Sequence, residues 1–209
     1  MTDSTTLDSA SRDRRRRRRT VFGIAAIFFV PLAAALYLYY GLPGFRPVGT
    51  VNHGVLVDPP HPLPTLSLPL FPAGRTRPGF LEGRWTLLVV GTGVCGERCR
   101  AELYDTRQVR MALGQDMNRV QRVFLATGPC CDARFLHNQH PDLITVRVTA
   151  TAAPLLAALP VYGGVPPLGA GRVYLIDPLG NLMMSYPPNA APKGMLEDLQ
   201  RLLHLSTIG

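Results

Sequence analysis

Trp85-Thr86-Leu87-Leu88-Val89-Val90-Gly91, followed at once by Thr92-Gly93-Val94-Cys95-Gly96-Glu97-Arg98-Cys99, decides how this chain is read. The run Trp85–Val90 is apolar almost throughout, the pattern of a strand buried on both faces. Cys95 and Cys99 then open an expected helix over Glu97–Leu113, with apolar residues at Ala101, Tyr104, Val109, Ala112 and Leu113. Two thiols between a buried strand and a helix mark a place for sulfur chemistry or for a soft metal. On a regular helix they would be i and i+4, with β-carbons about 5–6 Å apart. A disulfide wants about 3.5–4.5 Å. A regular first turn therefore favours two sulfurs on one metal, and a disulfide requires the turn to loosen. Aligned backbone dipoles at a helix N-terminus stabilise thiolates, and Arg98 and Arg100 add positive charge. Soft thiolates prefer Cu(I), with zinc the other option. The plain alternative is a structural disulfide with no turnover.

Working outward, Val120–Ala126 reads as a second strand and Leu143–Val148 as a third. Ala152–Leu159 is a short helix stopped by Pro160. Val173–Ile176 and Leu182–Tyr186 flank Asp177-Pro178-Leu179-Gly180, a tight-turn sequence between antiparallel strands. Met195–Leu203 closes the chain with Met195, Leu196, Leu199, Leu202 and Leu203 on one helical face. This is an α/β layer pattern, and a right-handed crossover makes the first two strands parallel. With a thiol pair at the first strand's carboxyl end, the expected fold over 81–209 is thioredoxin-like.

Cys130-Cys131 follows the second strand, so both cysteine pairs are expected at one sheet edge. Across a trans peptide, adjacent α-carbons are about 3.8 Å apart, below the usual disulfide range, so these two are not expected to pair with each other. One of them would resolve a disulfide with Cys95 or Cys99, or supply a further thiolate to a metal. An incidental pair or a static staple is the alternative. His137 and His140, in the loop that follows, form a His-x-x-His spacing that can bind metal or simply be solvated. His53, His61 and His204 read as incidental. Met183 and Met184 alternate on a strand, so at most one would face the site, and core packing is the favoured role. There is no phosphate-cradling glycine motif, serine-triad signature or carboxylate pair to support another enzyme.

The chain has 209 residues and a net charge of +8. Arg12 and Arg14–Arg19 supply much of that charge, and beyond residue 40 only 15 bases face 11 acids. That excludes a nucleic-acid footprint, which would need a strongly basic face interleaved with aromatics. Thr20–Tyr40 is an uncharged stretch of 21 residues, and roughly 20 apolar residues span a bilayer core. Pro31 is tolerated in such a helix, and Tyr37, Tyr39 and Tyr40 suit the interface. The arginine run places the tail, 1–19, on the cytoplasmic side and everything after residue 40 outside. Cleavage after Ala33-Ala34-Ala35, a twin-arginine signal at Arg18-Arg19 and a nucleic-acid tail are the alternatives to an uncleaved anchor. Residues 41–80 hold nine prolines. They read as an extended arm that lifts the domain off the membrane and ends in a short hairpin near Leu66–Phe71. An exported domain meets an oxidising compartment, where thiols are paired, metal-bound or kept reduced.

Gly83–Gly91, Cys95 with Cys99, Val120–Ala126 and Tyr174–Gly180 together resemble the Sco (SenC) family, over about residues 81–203 and in the anchor layout. The three-residue gap between the cysteines is the most specific element. The resemblance implies a membrane-anchored, thioredoxin-like protein of the periplasmic side that serves cytochrome c oxidase biogenesis. It would handle Cu(I) or reduce copper-site cysteines, with an oxidase subunit or copper and thiol-redox proteins as partners. Cys95 would be the more exposed, attacking thiol and Cys99 its partner. The chain departs from the family in two places. Gly96 and Arg100 stand where prolines are expected. Pro167-Leu168-Gly169-Ala170-Gly171-Arg172 lacks the histidine that would be the third copper ligand. A metal-free thiol–disulfide protein and a non-catalytic assembly factor are the other two readings.

Overall fold

The computed structural model describes residues 4–41 and 51–209. They fall into two units, divided between Thr50 and Val51. The first holds one helix, α1, Ser4–Gly41, within which Arg17–Leu38 is long and apolar enough to cross a membrane. Pro31 lies inside α1 without ending it.

The second unit is built on a six-stranded mixed sheet. Its strands are β1 (Val55–Pro62), β2 (Trp85–Thr92), β3 (Val120–Thr127), β4 (Leu143–Arg147), β5 (Val173–Ile176) and β6 (Asn181–Tyr186), in the order β1-β6-β5-β2-β3-β4. Strands β2, β3 and β4 are parallel, while β5, β6 and β1 alternate in direction. The helices are α2 (Glu97–Ala112), α3 (Ala133–Gln139), α4 (Ala153–Ala157), α5 (Pro167–Ala170) and α6 (Pro192–Leu205). The two expected parallel strands, the hairpin and the closing helix are all present.

Alternation along the strands feeds two cores. Leu87 and Val89 of β2, Phe124 and Ala126 of β3, and Val173 and Leu175 of β5 pack with Leu103 and Val109 of α2, Phe135 of α3, and Met195, Leu199 and Leu203 of α6. On the opposite face, Leu88, Val90, Val123, Leu125, Tyr174 and Ile176 pack under Leu155 of α4 and under Leu63, Leu68, Phe80 and Leu81. This second cover corrects the expectation for 41–80. Residues 42–50 lie outside the described residues, but 51–80 are part of the folded unit rather than a free arm. Proline excludes helix and central strands, yet it is compatible with an edge strand. Accordingly β1, with Pro59, Pro60 and Pro62, pairs at the sheet edge with β6 through a register shift between Leu56 and His61. The hairpin expected near Leu66–Phe71 turns between Leu68 and Thr76. Its Pro69–Phe71 limb lies along β4, with Phe71 N donating to Thr145 O at 3.0 Å and Arg147 N to Pro69 O at 2.8 Å. Both sheet edges are thereby covered or made irregular, which suppresses pairing with other chains.

A charged residue lies wholly inside the second unit. Arg122 on β3 has no exposed surface. Its Nη1 donates to both carboxylate oxygens of Asp142, at 3.1 and 3.3 Å, and its Nε to Thr106 Oγ1 at 3.2 Å. Its Nη2 donates to Leu103 O and, at 3.4 Å, to His140 Nδ1. Burial lowers the guanidinium to about 10, still charged at neutral pH. His140, expected in a solvated or metal-binding loop, is instead 3% exposed and buried against Phe135, with Nε2 unpartnered. Burial first, then Arg122 and Arg107, push its imidazole down to about 4, against the opposite pull of Asp142. Its folded value lies below its unfolded value of about 6.5, so the unfolded chain takes up the proton first. The stabilisation is complete above pH 6.5 and is lost as the pH falls from 6.5 towards 4. Chemical denaturation across that window should show a loss of roughly 3 kcal/mol from this residue, at about 1.4 kcal/mol per unit, and the slope should flatten in His140→Asn. An unchanged slope in that variant would refute the assignment.

Candidate functional site

The parallel register Gly91↔Ala126 and Thr92↔Thr127 ends β2 and β3 side by side, so the loops carrying Cys95 and Cys130-Cys131 leave the sheet at the same edge, as expected. They touch. Gly93 N donates to Thr127 O at 2.8 Å. A β-carbon at Gly93 would lie 2.6 Å from Cys130 Cα, so a side chain there would force one loop off the other. All four cysteines pack on the same core, on the α2 side of the sheet.

Cys95 and Cys99 are joined as a disulfide, with α-carbons 5.1 Å apart. Cys95 is not on the helix. It precedes the N-cap Gly96 with φ 47°, and Cys99 sits in the first turn of α2. The left-handed residue is the loosening that a disulfide requires, so of the two arrangements open to the pair the structure shows the disulfide. The roles by exposure are also reversed. Cys95 is 2% exposed and Cys99 is half-buried, above Gly91, where a β-carbon would meet its Sγ at 3.5 Å. Cys99 is the sulfur a partner can reach, and it has the helix N-terminus to stabilise a thiolate.

Cys130 and Cys131, both half-buried, lie side by side, joined by a cis peptide with α-carbons 3.1 Å apart. Among the described residues no three or more Cys, His, Asp or Glu side chains are gathered as a metal site. His137 is exposed, and His140 is engaged with Arg122.

Three residues of this edge carry no motif. Arg100 donates through Nε to Cys95 O at 3.0 Å and through Nη2 to Asp132 Oδ2 at 3.2 Å, with its guanidinium 4.3 Å from the centre of the Phe135 ring. It therefore ties the first cysteine loop to the second. Asp132 caps α3 by accepting from Phe135 N at 3.0 Å, and that bond, with Arg100, holds its carboxyl below the usual range. Glu102 lies three residues after Cys99, and its Oε1 is buried without a hydrogen-bond partner. Burial raises its carboxyl, with Arg98 pulling the other way. A β-carbon on Gly171, in the left-handed conformation after α5, would sit 3.0 Å from that oxygen and 2.9 Å from Arg98 Cδ. The histidine-less stretch 167–172 thus packs on α2 beside the cysteines and brings no imidazole there.

Core packing, the favoured role for the two methionines, holds. Met184 is core, and the register shift between Leu175 and Ile176 lets Met183 touch the same core. His53 and His61 are structural. His53 is clasped by Asp198, and His61 Nε2 lies 2.9 Å from Ala158 O.

A parallel β2–β3 pair crossed by α2, an antiparallel β5–β6 pair and a cysteine pair at the β2–α2 junction define a thioredoxin-like domain. Residues 85–206 match the family described as the transmembrane-like, thioredoxin-like, C-terminal domain, and the chain belongs to that family. No curated protein matches it in sequence. Among solved structures it is similar to apo Sco1 from Thermus thermophilus, with 21% identity, TM-score 0.59, 76% of this chain covered and 100% of that one. It is also similar to copper-bound ScoI from Bradyrhizobium japonicum, with 20% identity, TM-score 0.55 and coverages of 68% and 100%. A third is a thioredoxin-family thiol:disulfide interchange protein from Chlorobium tepidum, with 16% identity, TM-score 0.53 and coverages of 68% and 95%. The resemblance to the Sco proteins holds at the level of the fold.

Proposed function

We propose that Cys95–Cys99 is a reversible dithiol–disulfide couple that works outside a membrane to which α1 anchors the chain, with the arginine run on the cytoplasmic side. The carrying observation is the position of Cys99, half-buried in the first turn of α2 and bonded to a Cys95 that stands off the helix. Such a couple accepts two electrons and two protons from a dithiol, or returns them to a partner's disulfide by way of a mixed disulfide at Cys99. Reduced, it offers two soft thiolates, the donor type that selects Cu(I). Cys130 or Cys131 is the nearest source of a third thiolate. Copper is then cargo, and the client is the copper-site region of a respiratory oxidase subunit or another copper or thiol-redox protein. Copper-bound ScoI on the same fold supports this reading. The Chlorobium tepidum interchange protein supports the metal-free form of it.

The test is an anaerobic Cu(I) titration of the reduced full chain in detergent against a competing chelator, beside Cys95→Ser/Cys99→Ser. One tightly held copper, lost in the variant, is the expected result. Copper retained by the variant, or held by neither chain, removes the cargo role.

A further inference from the structure

We propose that Cys130–Cys131 is a second dithiol–disulfide couple that passes electrons directly to Cys95–Cys99, making this edge a two-stage relay. The proposal rests on the reading of Cys95–Cys99 as a reversible couple and adds where its electrons come from.

Four observations bring the two pairs together at one edge. Their strands end in register at the same edge. Gly93 packs against the backbone of Cys130, with room for no side chain between. Arg100 bonds to the carbonyl of Cys95 and to the carboxylate of Asp132, the residue after Cys131. The three half-buried cysteines, Cys99, Cys130 and Cys131, all pack on the core that buries Cys95. The chemistry also needs thiolate character on both sides. Arg100 lies between the two loops, and a nearby guanidinium favours the thiolate.

The exchange balances. An external protein dithiol first reduces Cys130–Cys131. The Cys130 thiolate then attacks Cys99 Sγ. The Cys95–Cys99 bond breaks, its electron pair leaves on Cys95, and that thiolate takes a proton. The Cys131 thiolate next attacks Cys130 Sγ in the mixed disulfide and releases Cys99 as thiolate, which is protonated in turn. Two electrons have crossed, and the two protons lost by Cys130 and Cys131 match the two gained by Cys95 and Cys99. The vicinal pair ends oxidised and the first pair ends reduced. No metal takes part.

The test traps the intermediate. In the full-length Cys95→Ser/Cys131→Ser chain only Cys99 and Cys130 remain. Mild oxidation followed by peptide mapping without reductant should find them joined within one molecule. Free thiols, or only links between molecules, would overturn the relay. The second measurement uses the unmodified chain, so it does not depend on the variant folding. Two-electron reduction with one equivalent of dithiothreitol, followed by alkylation at successive times, should show label moving from one pair to the other. Label that stays on the pair first reduced refutes the proposal. Reduction and reoxidation of Cys95–Cys99 in the Cys130→Ser/Cys131→Ser chain test the underlying reading separately, so the relay can fail while that reading stands.

Discussion

Asp142→Ala is expected to destabilise the domain by about 3 kcal/mol, and more than Arg122→Met does. Removing one partner of a buried ion pair typically costs about 3–5 kcal/mol, because the remaining charge is left uncompensated. The Asp142 side chain is 26% exposed, which places this case at the low end. Its loss leaves Arg122 with no exposed surface and no carboxylate, and deprives Arg110 Nη1 of its contact at 3.4 Å. Arg122→Met instead removes the charge and keeps most of the volume. Leu103 O belongs to α2, and Thr106 Oγ1 still donates to Glu102 O at 2.9 Å, so few groups are orphaned. A cost of about 1–2 kcal/mol is expected, since apolar replacements of buried charges often come near neutral. Trp85, the single tryptophan, is 4% exposed and reports unfolding in urea. The reverse order would mean that the hydrogen bonds of Arg122 to α2, rather than its charge balance, hold this part of the core.

Asp198→Ala should have a comparable effect, read in a different way. Asp198 is 2% exposed and collects the start of the domain. It accepts from His53 N at 2.9 Å, Gly54 N at 3.0 Å, Tyr186 Oη at 3.2 Å and His53 Nδ1 at 3.3 Å. Burial and this carboxylate hold the Tyr186 phenol far above its ordinary range, so it stays a donor. Alanine would orphan the buried Gly54 N–H, at about 1–3 kcal/mol for an unsatisfied group, and leave the Tyr186 O–H only the weak acceptor Met184 Sδ at 3.2 Å. A total of about 3 kcal/mol corresponds to roughly a hundredfold rise in local opening. Limited proteolysis of the native chain should therefore cut near residues 51–54 about a hundred times faster in the variant than in the unchanged chain. Equal rates would show that β1, not the carboxylate, holds this segment.

Where local pattern and tertiary role agree, the sequence was legible. Trp85–Val90 and Val120–Ala126 are buried on both faces, and their apolar runs say so. Met195–Leu203 is an amphipathic helix against the sheet, and its spacing says so. Cys95 and Cys99 were found because chemistry and spacing coincide. The segment 51–80 defeats such a reading because its prolines speak only to helix and central strand. Its real signal lies in Leu63, Leu68 and Phe80, too widely spaced for either periodicity, which cover one face of the sheet. Exposure at the site was illegible for a similar reason. Cys95 is hidden by a left-handed turn that no residue type announces, since that conformation usually falls to glycine. Arg100, Asp132, Glu102 and Arg122 act through partners 5 to 32 positions away or through burial, and charge counting cannot see either. Of the four only Arg100 stands out in the sequence, as a charge beside Cys99 and in the place of an expected proline.

The close approach of Gly93 to Cys130 also has a bearing on equilibrium. Under the proposed relay, two redox centres sharing a wall need not titrate independently, and linkage makes any influence reciprocal. Whatever change in reduction potential the oxidation of Cys130–Cys131 imposes on Cys95–Cys99, oxidation of Cys95–Cys99 must return in equal size. The coupling between the pairs is therefore a single quantity, and measuring it at one pair gives its value at the other.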